Sequence, residues 1–145
     1  MIIHIATDHA GLDLKNSLKE YLNSKGYEVV DHGAFEYDPK DDYPDFIFPC
    51  AKAVASDKNS KGVILGGSGQ GEAMAANRIK GVRAAVYYGS EFDIPILSRR
   101  HNNSNILSIG ARFVSKKEIY AILDKWLSEP FTGGRHQKRI DKLDI

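Results

Sequence analysis

The sequence predicts an α/β fold: a three-layer αβα sandwich around a five-stranded, parallel, Rossmann-like sheet. Three observations carry this prediction. Short runs rich in β-branched and apolar residues alternate with longer stretches of helical periodicity. The run Val63-Ile64-Leu65 is wholly apolar, as a strand covered on both faces requires. Glycine-rich and polar segments fall at the junctions, the place where open α/β sheets bind ligands.

The elements follow in order. Residues 2–7 read as the first strand, and residues 11–25 as a helix with Leu14, Leu18, Tyr21 and Leu22 on one face, stopped by Gly26. Residues 27–32 give a second strand. Residues 33–43 contain Gly33, Pro39 and four carboxylates, a loop composition. Pro44 suits the first turn of a helix whose apolar face is Ile47, Phe48, Ala51, Val54 and Ala55. Strand three is residues 63–65, followed by a glycine loop and a helix of about 72–79. Residues 82–88 form the fourth strand, in which Tyr87 and Tyr88 are expected to pack. A helix of about 90–100 leads into the polar run His101 to Ser104. Residues 105–109 are the fifth strand, and 115–128 an amphipathic helix carrying Ile119, Ile122, Leu123, Trp126 and Leu127. The count is five strands and five helices.

The 145 residues suit one domain spanning 1–145, and residues 130–145 form a polar, basic C-terminal tail opened by Gly133-Gly134. With 42% hydrophobic and 27% charged residues, the chain is neither collagen-like nor disordered. The net charge of +1 gives no general attraction to nucleic acid or anionic membrane. Cys50 is the single cysteine, so no internal disulfide forms. No Cys/His spacing suits zinc, and neither a metal nor a cofactor is expected. Cys50 falls on an apolar helix face and reads as inert. No secretory leader and no membrane-spanning stretch is legible, and a cytoplasmic location is expected.

The chemistry-bearing residues gather at the junctions. Asp8 and His9 follow strand one, His101 and Asn102 precede strand five, and Arg112 follows it. Asp8 also suits a helix N-cap. The segment Gly66-Gly67-Ser68-Gly69-Gln70-Gly71-Glu72 is the most informative. Its glycines allow close backbone approach to a ligand, and its N–H groups offer an anion cradle. It fails two common nucleotide-loop patterns. A P-loop needs Lys-Ser/Thr where Glu72-Ala73 stand, and a carboxylate there repels a triphosphate. The dinucleotide pattern counted from Gly67 ends on Glu72, where glycine is required. Glu72 is either a helix-dipole partner or a general base beside N–H donors, a pairing suited to proton abstraction next to a carbonyl. In the tail, Arg135 and Arg139 share one helical face and match a phosphate monoester.

Seven ordered segments, including Ala6-Thr7-Asp8-His9-Ala10-Gly11, Asp42-Tyr43-Pro44-Asp45, the glycine loop, His101-Asn102-Asn103 and Gly133-Gly134-Arg135-His136-Gln137-Lys138-Arg139, resemble the ribose-5-phosphate isomerase B family. That family also contains galactose-6-phosphate isomerase subunits. The resemblance runs from residue 2 to about 143. It implies an aldose–ketose isomerase that works without metal, through a cis-enediolate. It implies that Asp8 and His9 contact sugar hydroxyls and phosphate, and that Tyr43 lies near the sugar ring. Gly67, Ser68, Gly69 and Gly71 would surround the C1 and C2 oxygens. His101, with Asn102 beside it, would open the ring. Arg112, Arg135 and Arg139 would contact sugar and phosphate. Many members carry a cysteine base directly after strand three. Here Gly66 holds that position, and the chain resembles the subgroup whose base is a glutamate, Glu72. The family is dimeric or tetrameric with sites built by two subunits, so a homodimer or dimer of dimers is expected, the basic tail reaching a neighbour. The alternatives are an isomerase of a six- or four-carbon sugar phosphate, a sugar-phosphate-binding regulator without catalysis, and a flavodoxin-like nucleotide module that Glu72 disfavours.

Overall fold

Strand three carries the architecture. Val63, Ile64 and Leu65 are fully buried, and their side chains alternate between two separate cores. A computed structural model describes residues 1–145. Its strands are β1 (Ile2–Thr7), β2 (Glu28–Asp31), β3 (Lys61–Gly66), β4 (Ala84–Tyr87) and β5 (Ile106–Gly110). All pair in parallel, in the order β2-β1-β3-β5-β4. The helices are α1 (Leu12–Ser24), α2 (Pro44–Ser56), α3 (Gln70–Ala76), α4 (Asp93–Asn102), α5 (Lys116–Ser128) and α6 (Arg135–Ile140), with a 3₁₀ turn at His9–Gly11.

One core packs α1 and α5, through Leu18, Leu22, Ile119, Leu123 and Trp126, against Ile3, Ile5, Val63 and Leu65. The other packs α2 and α3, through Ile47, Ala51, Val54 and Ala76, against Ala6, Ile64 and Ile106. The predicted three layers are therefore present. Cys50 lies fully buried in the second core, where burial pushes its thiol well above the ordinary range, so it is unreactive. No helix is long and apolar enough to cross a membrane.

The boundaries differ from expectation for local reasons. The helix expected at 72–79 runs from Gln70 to Ala76. It starts early because Gly69 takes a left-handed conformation (φ 79°) at its N-cap. It stops at Asn77, whose side-chain amide bonds the N–H and C=O of Ala84 at 2.8 and 3.1 Å. Strand four is shorter than 82–88, and Tyr88 is half-exposed, whereas Tyr87 is buried with its hydroxyl on Glu118. Helix α4 extends past residue 100 to include His101 and Asn102, because Asn103 supplies a left-handed C-cap (φ 47°).

A sixth helix also forms. Residues 130–145, expected as a tail, dock on α4 of their own chain. Thr132 donates twice to Arg100 O, at 2.7 and 3.1 Å, and His136 stacks on His101 with ring centroids 4.4 Å apart.

The loop between β2 and α2 is anchored from beneath. Lys15, 1% exposed on α1, donates to both Asp31 oxygens at 2.8 and 2.9 Å and to Ala34 O at 2.7 Å. Burial alone pushes the Asp31 carboxyl up. The Lys15 ammonium, the Gly33 N–H and Lys19 outweigh it and hold the group below the usual range. This buried pair orders the start of a loop that ends on Asp41 and Tyr43.

Beside it, His4 Nδ1 and His32 Nε2 lie 2.9 Å apart, so one neutral ring donates and the other accepts. Burial lowers both pKa values; His4 lowers that of His32 further, and Asp57 partly offsets the shift at His4. A histidine pKa depressed on folding means that the unfolded chain binds more protons. Stability is therefore full above the unfolded value of about 6.5 and falls as pH drops through the folded values. Denaturant unfolding at pH 7.5 and 5 is expected to show this loss, and a His4→Asn/His32→Asn variant a flatter profile. Equal slopes in both proteins would detach the pair from the effect.

Candidate active site

Where β1, β3 and β5 end, their exits surround an open cleft of about 450 Å³ lined by Asp8, His9, Tyr43, Gly67, Ser68, Gly71, Glu72 and Arg112, with Ala10 and Phe113. The glycine loop sets its floor. Glu72, in the first turn of α3, is 5% exposed, and its carboxylate folds back over Gly66. A Cβ built at Gly66 overlaps that carboxylate, so a glycine at the end of β3 is what makes room for it. Burial raises the Glu72 pKa and the Asp8 charge adds to this, against the opposing pull of its own backbone N–H. A carboxylate so placed is a stronger base than one in water.

The remaining wall follows from close backbone packing. Ala111 N and Arg112 N donate to Gly66 O and Gly67 O at 2.8 and 3.2 Å, tying the exit of β5 to the loop. The Arg112 guanidinium then lies over Gly67, with Nη1 3.0 Å from a Cβ built there. Gly71 lets the Tyr43 ring close onto α3, since a Cβ at that position would come within 2.7 Å of the phenol. Ser68 is exposed, and its Oγ accepts from Gln70 N at 3.3 Å. Gly69 is expected in the binding loop but faces away. Its carbonyl accepts from Ser108 Oγ at 2.6 Å and its α-carbon packs on β5, so it shapes the turn and does not line the cleft.

Asp8 does both things its sequence position suggests. Its Oδ1 accepts from Ala10 N at 2.9 Å, capping the 3₁₀ turn, while the buried carboxylate also borders the cleft beside Glu72. His9 is held by a residue that sequence reasoning missed. Asp41 Oδ1 lies 2.6 Å from His9 Nδ1 and accepts from His9 N at 3.2 Å. The bond fixes the ring with Nδ1 toward the carboxylate and raises the His9 pKa. Asp41 is one of four acids in its loop, and nothing in the sequence distinguishes it from Glu36, Asp38 or Asp42. Ligand atoms of Asp8, His9 and Asp41 lie within 4.8 Å of one another, but Asp41 already occupies His9 Nδ1. The cluster is a hydrogen-bonded dyad beside a carboxylate.

Four predicted residues lie elsewhere. His101 and Asn102 end α4, at the end of the sheet where β5 begins, opposite the cleft. With His136 and Arg139 they line a second opening of about 280 Å³. Arg135 is exposed at the start of α6 and lines neither opening. Within one chain the structure therefore divides the expected site into a carboxylate cleft and an imidazole–arginine cleft.

Comparisons with known proteins agree along the whole chain. A family model described as ribose/galactose isomerase matches residues 3–143. A protein named probable ribose-5-phosphate isomerase B from Mycoplasma genitalium is 46% identical over 143 residues, covering 97% of this chain and 92% of the relative. Ribose-5-phosphate isomerase B from Mycobacterium tuberculosis strain H37Rv is 40% identical over 144 residues, covering 99% and 88%. The crystal structure of the Mycoplasma genitalium enzyme with bound ribulose 5-phosphate superimposes with a TM-score of 0.93 at 43% identity, covering 98% of this chain and 93% of that one.

Proposed function

The chain belongs to the ribose/galactose isomerase family, and from that premise we infer that it interconverts ribose 5-phosphate and ribulose 5-phosphate by moving a proton between C2 and C1. It is an aldose–ketose isomerase. The observation that carries the mechanism is the Glu72 carboxylate, buried over Gly66 and facing a cleft rimmed by hydrogen-bond donors. Glu72 takes the proton from C2 of the open-chain aldose and returns it to C1, while the proton of the C2 hydroxyl passes to the oxygen on C1. Ser68 and the N–H groups of the glycine loop hold the oxygens of the cis-enediolate. His101, with Asn102 beside it, moves the proton between ring oxygen and anomeric hydroxyl when the furanose opens. Asp8 and Tyr43 bind the sugar. His9, held by Asp41, and Arg112 reach the substrate from the same side, the arginine with its positive charge. The proton transfer itself uses side chains of this chain alone.

In this reading a second copy completes the site. Its His101, Arg135 and Arg139 reach the carboxylate cleft of the first, in a homodimer or a dimer of dimers located in the cytoplasm. The separation of the two clefts supports it, since one chain leaves its ring-opening and phosphate-binding groups at the wrong end of its own sheet. Arg135→Ala and Arg139→Ala are each expected to lower kcat/KM about ten- to a hundredfold, mainly through binding. A mixed dimer of Glu72→Gln with Arg135→Ala/Arg139→Ala chains puts both lesions in one site. Activity is then expected to recover toward half of wild type. Verified mixed dimers without recovery would place the tail's action within its own chain.

Assay of five- and six-carbon aldose phosphates tests the substrate reading. Ribose 5-phosphate is expected to give the highest kcat/KM. A six-carbon phosphate clearly preferred over it would reassign the substrate.

A further inference from the structure

A cavity of about 320 Å³ opens beneath the starts of β3, β4 and β5, away from the carboxylate cleft. Its wall includes Lys58, Lys61, Arg83 and Arg99, and no carboxylate. We propose that it is a binding site for a phosphate-type dianion, separate from the isomerase site.

The two arginines are fixed in place without being neutralised. Arg83 uses Nε and Nη1 on Asn103 O and Gly81 O, at 2.8 and 3.2 Å. Arg99, 7% exposed, uses Nε on Glu129 O at 3.2 Å, and Nη1 on Asn103 Oδ1 and Ser104 O at 2.9 and 2.6 Å. Every one of these acceptors is neutral. None of the four cations has a carboxylate within ion-pair distance. Two acids act on the arginines from beyond ion-pair distance, and both are engaged otherwise: Asp144 accepts from Gly81 N at 2.9 Å, and Glu129 pairs with Arg100.

Uncompensated, partly buried charge is costly to a folded protein unless a counter-charge shares the site. The strain registers on the groups themselves. Burial lowers the pKa of Lys61, Arg83 and Arg99; Arg99 lowers that of Lys61 further, and Arg83 that of Arg99, while Asp144 and Glu129 offset the shifts at Arg83 and Arg99 only in part. Guanidiniums held rigidly by neutral acceptors, with Nη2 groups engaged by no hydrogen bond, are arranged to receive a tetrahedral oxyanion as a fork. The volume accommodates a phosphate with a small organic substituent. Lys58 stands exposed at the mouth, where an ammonium draws anions inward.

The test is equilibrium dialysis with radiolabelled inorganic phosphate, at ionic strength held constant with chloride. Phosphate binding at this cavity is expected to survive Arg112→Ala/Arg139→Ala, which removes anion contacts of the isomerase site. Added to that variant, Lys58→Gln/Lys61→Gln is expected to weaken it at least about tenfold, and the charge-conserving Lys58→Arg/Lys61→Arg to preserve it. By itself, Lys58→Gln/Lys61→Gln is expected to keep its isomerase turnover, which reports an intact fold. Lys58 makes no hydrogen bond and is exposed, so Lys58→Gln alone serves as the second variant if the double change unfolds the chain; it too is expected to weaken phosphate. Unchanged phosphate affinity in the Gln variants, or loss of all binding in Arg112→Ala/Arg139→Ala, would overturn the proposal.

Discussion

Glu72→Gln is expected to lower turnover of ribose 5-phosphate by about 10²–10⁴ while leaving phosphate affinity nearly unchanged. The substitution keeps the size of the side chain and the packing of the loop, and removes only the proton acceptor. Because Glu72 is buried and its pKa raised, the wild-type rate should fall on the acid side at a pH above the ordinary carboxylate range. That limb should be missing from the residual rate of the variant. Steady-state kinetics across pH, with competitive inhibition by inorganic phosphate, measures both. Near-wild-type turnover in the variant would remove Glu72 from the chemistry.

Gly66→Ala is expected to act almost as strongly through a residue that does not line the cleft. The added methyl group claims the space held by the Glu72 carboxylate. With the backbone of β3 paired on both sides, the strand cannot give way, so the carboxylate must. Displacing a reacting group by about 1 Å can cost on the order of 10²-fold. The loss should appear in kcat, with KM and the unfolding midpoint little changed. A fall in stability with normal kcat in the folded fraction would instead mean that Glu72 finds another productive rotamer.

Much of this was legible in the residues. The alternation of strand and helix patterns gave the layers because a parallel sheet must cover both faces, and Val63-Ile64-Leu65 has no polar side to offer water. The glycine loop and Glu72 were legible because a dense glycine run beside a carboxylate satisfies few other demands. Strand order was not. Nothing local tells β4 to take the edge and β5 the place beside β3, since that choice is made by which helix faces find each other. The extent of α4 was hidden because a polar run of His, Asn and Ser looks like a loop until Asn103 is seen in its left-handed cap. The tail looked solvated because its docking rests on an imidazole stack and backbone bonds to Arg100, contacts that leave no hydrophobic pattern. Lys15 and Asp41 escaped for a related reason. Each works through partners far along the chain, Lys15 through Asp31 and Ala34, and Asp41 through His9.

Isomerisation in D₂O, followed by NMR at C1 of ribulose 5-phosphate, tests the central claim most directly. Transfer through a carboxylate at the wall of an open cleft exposes the abstracted proton to exchange. The wild-type protein is therefore expected to deliver solvent deuterium to C1 in product formed on a single pass. Product carrying the original C2 hydrogen at C1, with no deuterium from solvent, would contradict transfer through a carboxylate open to exchange.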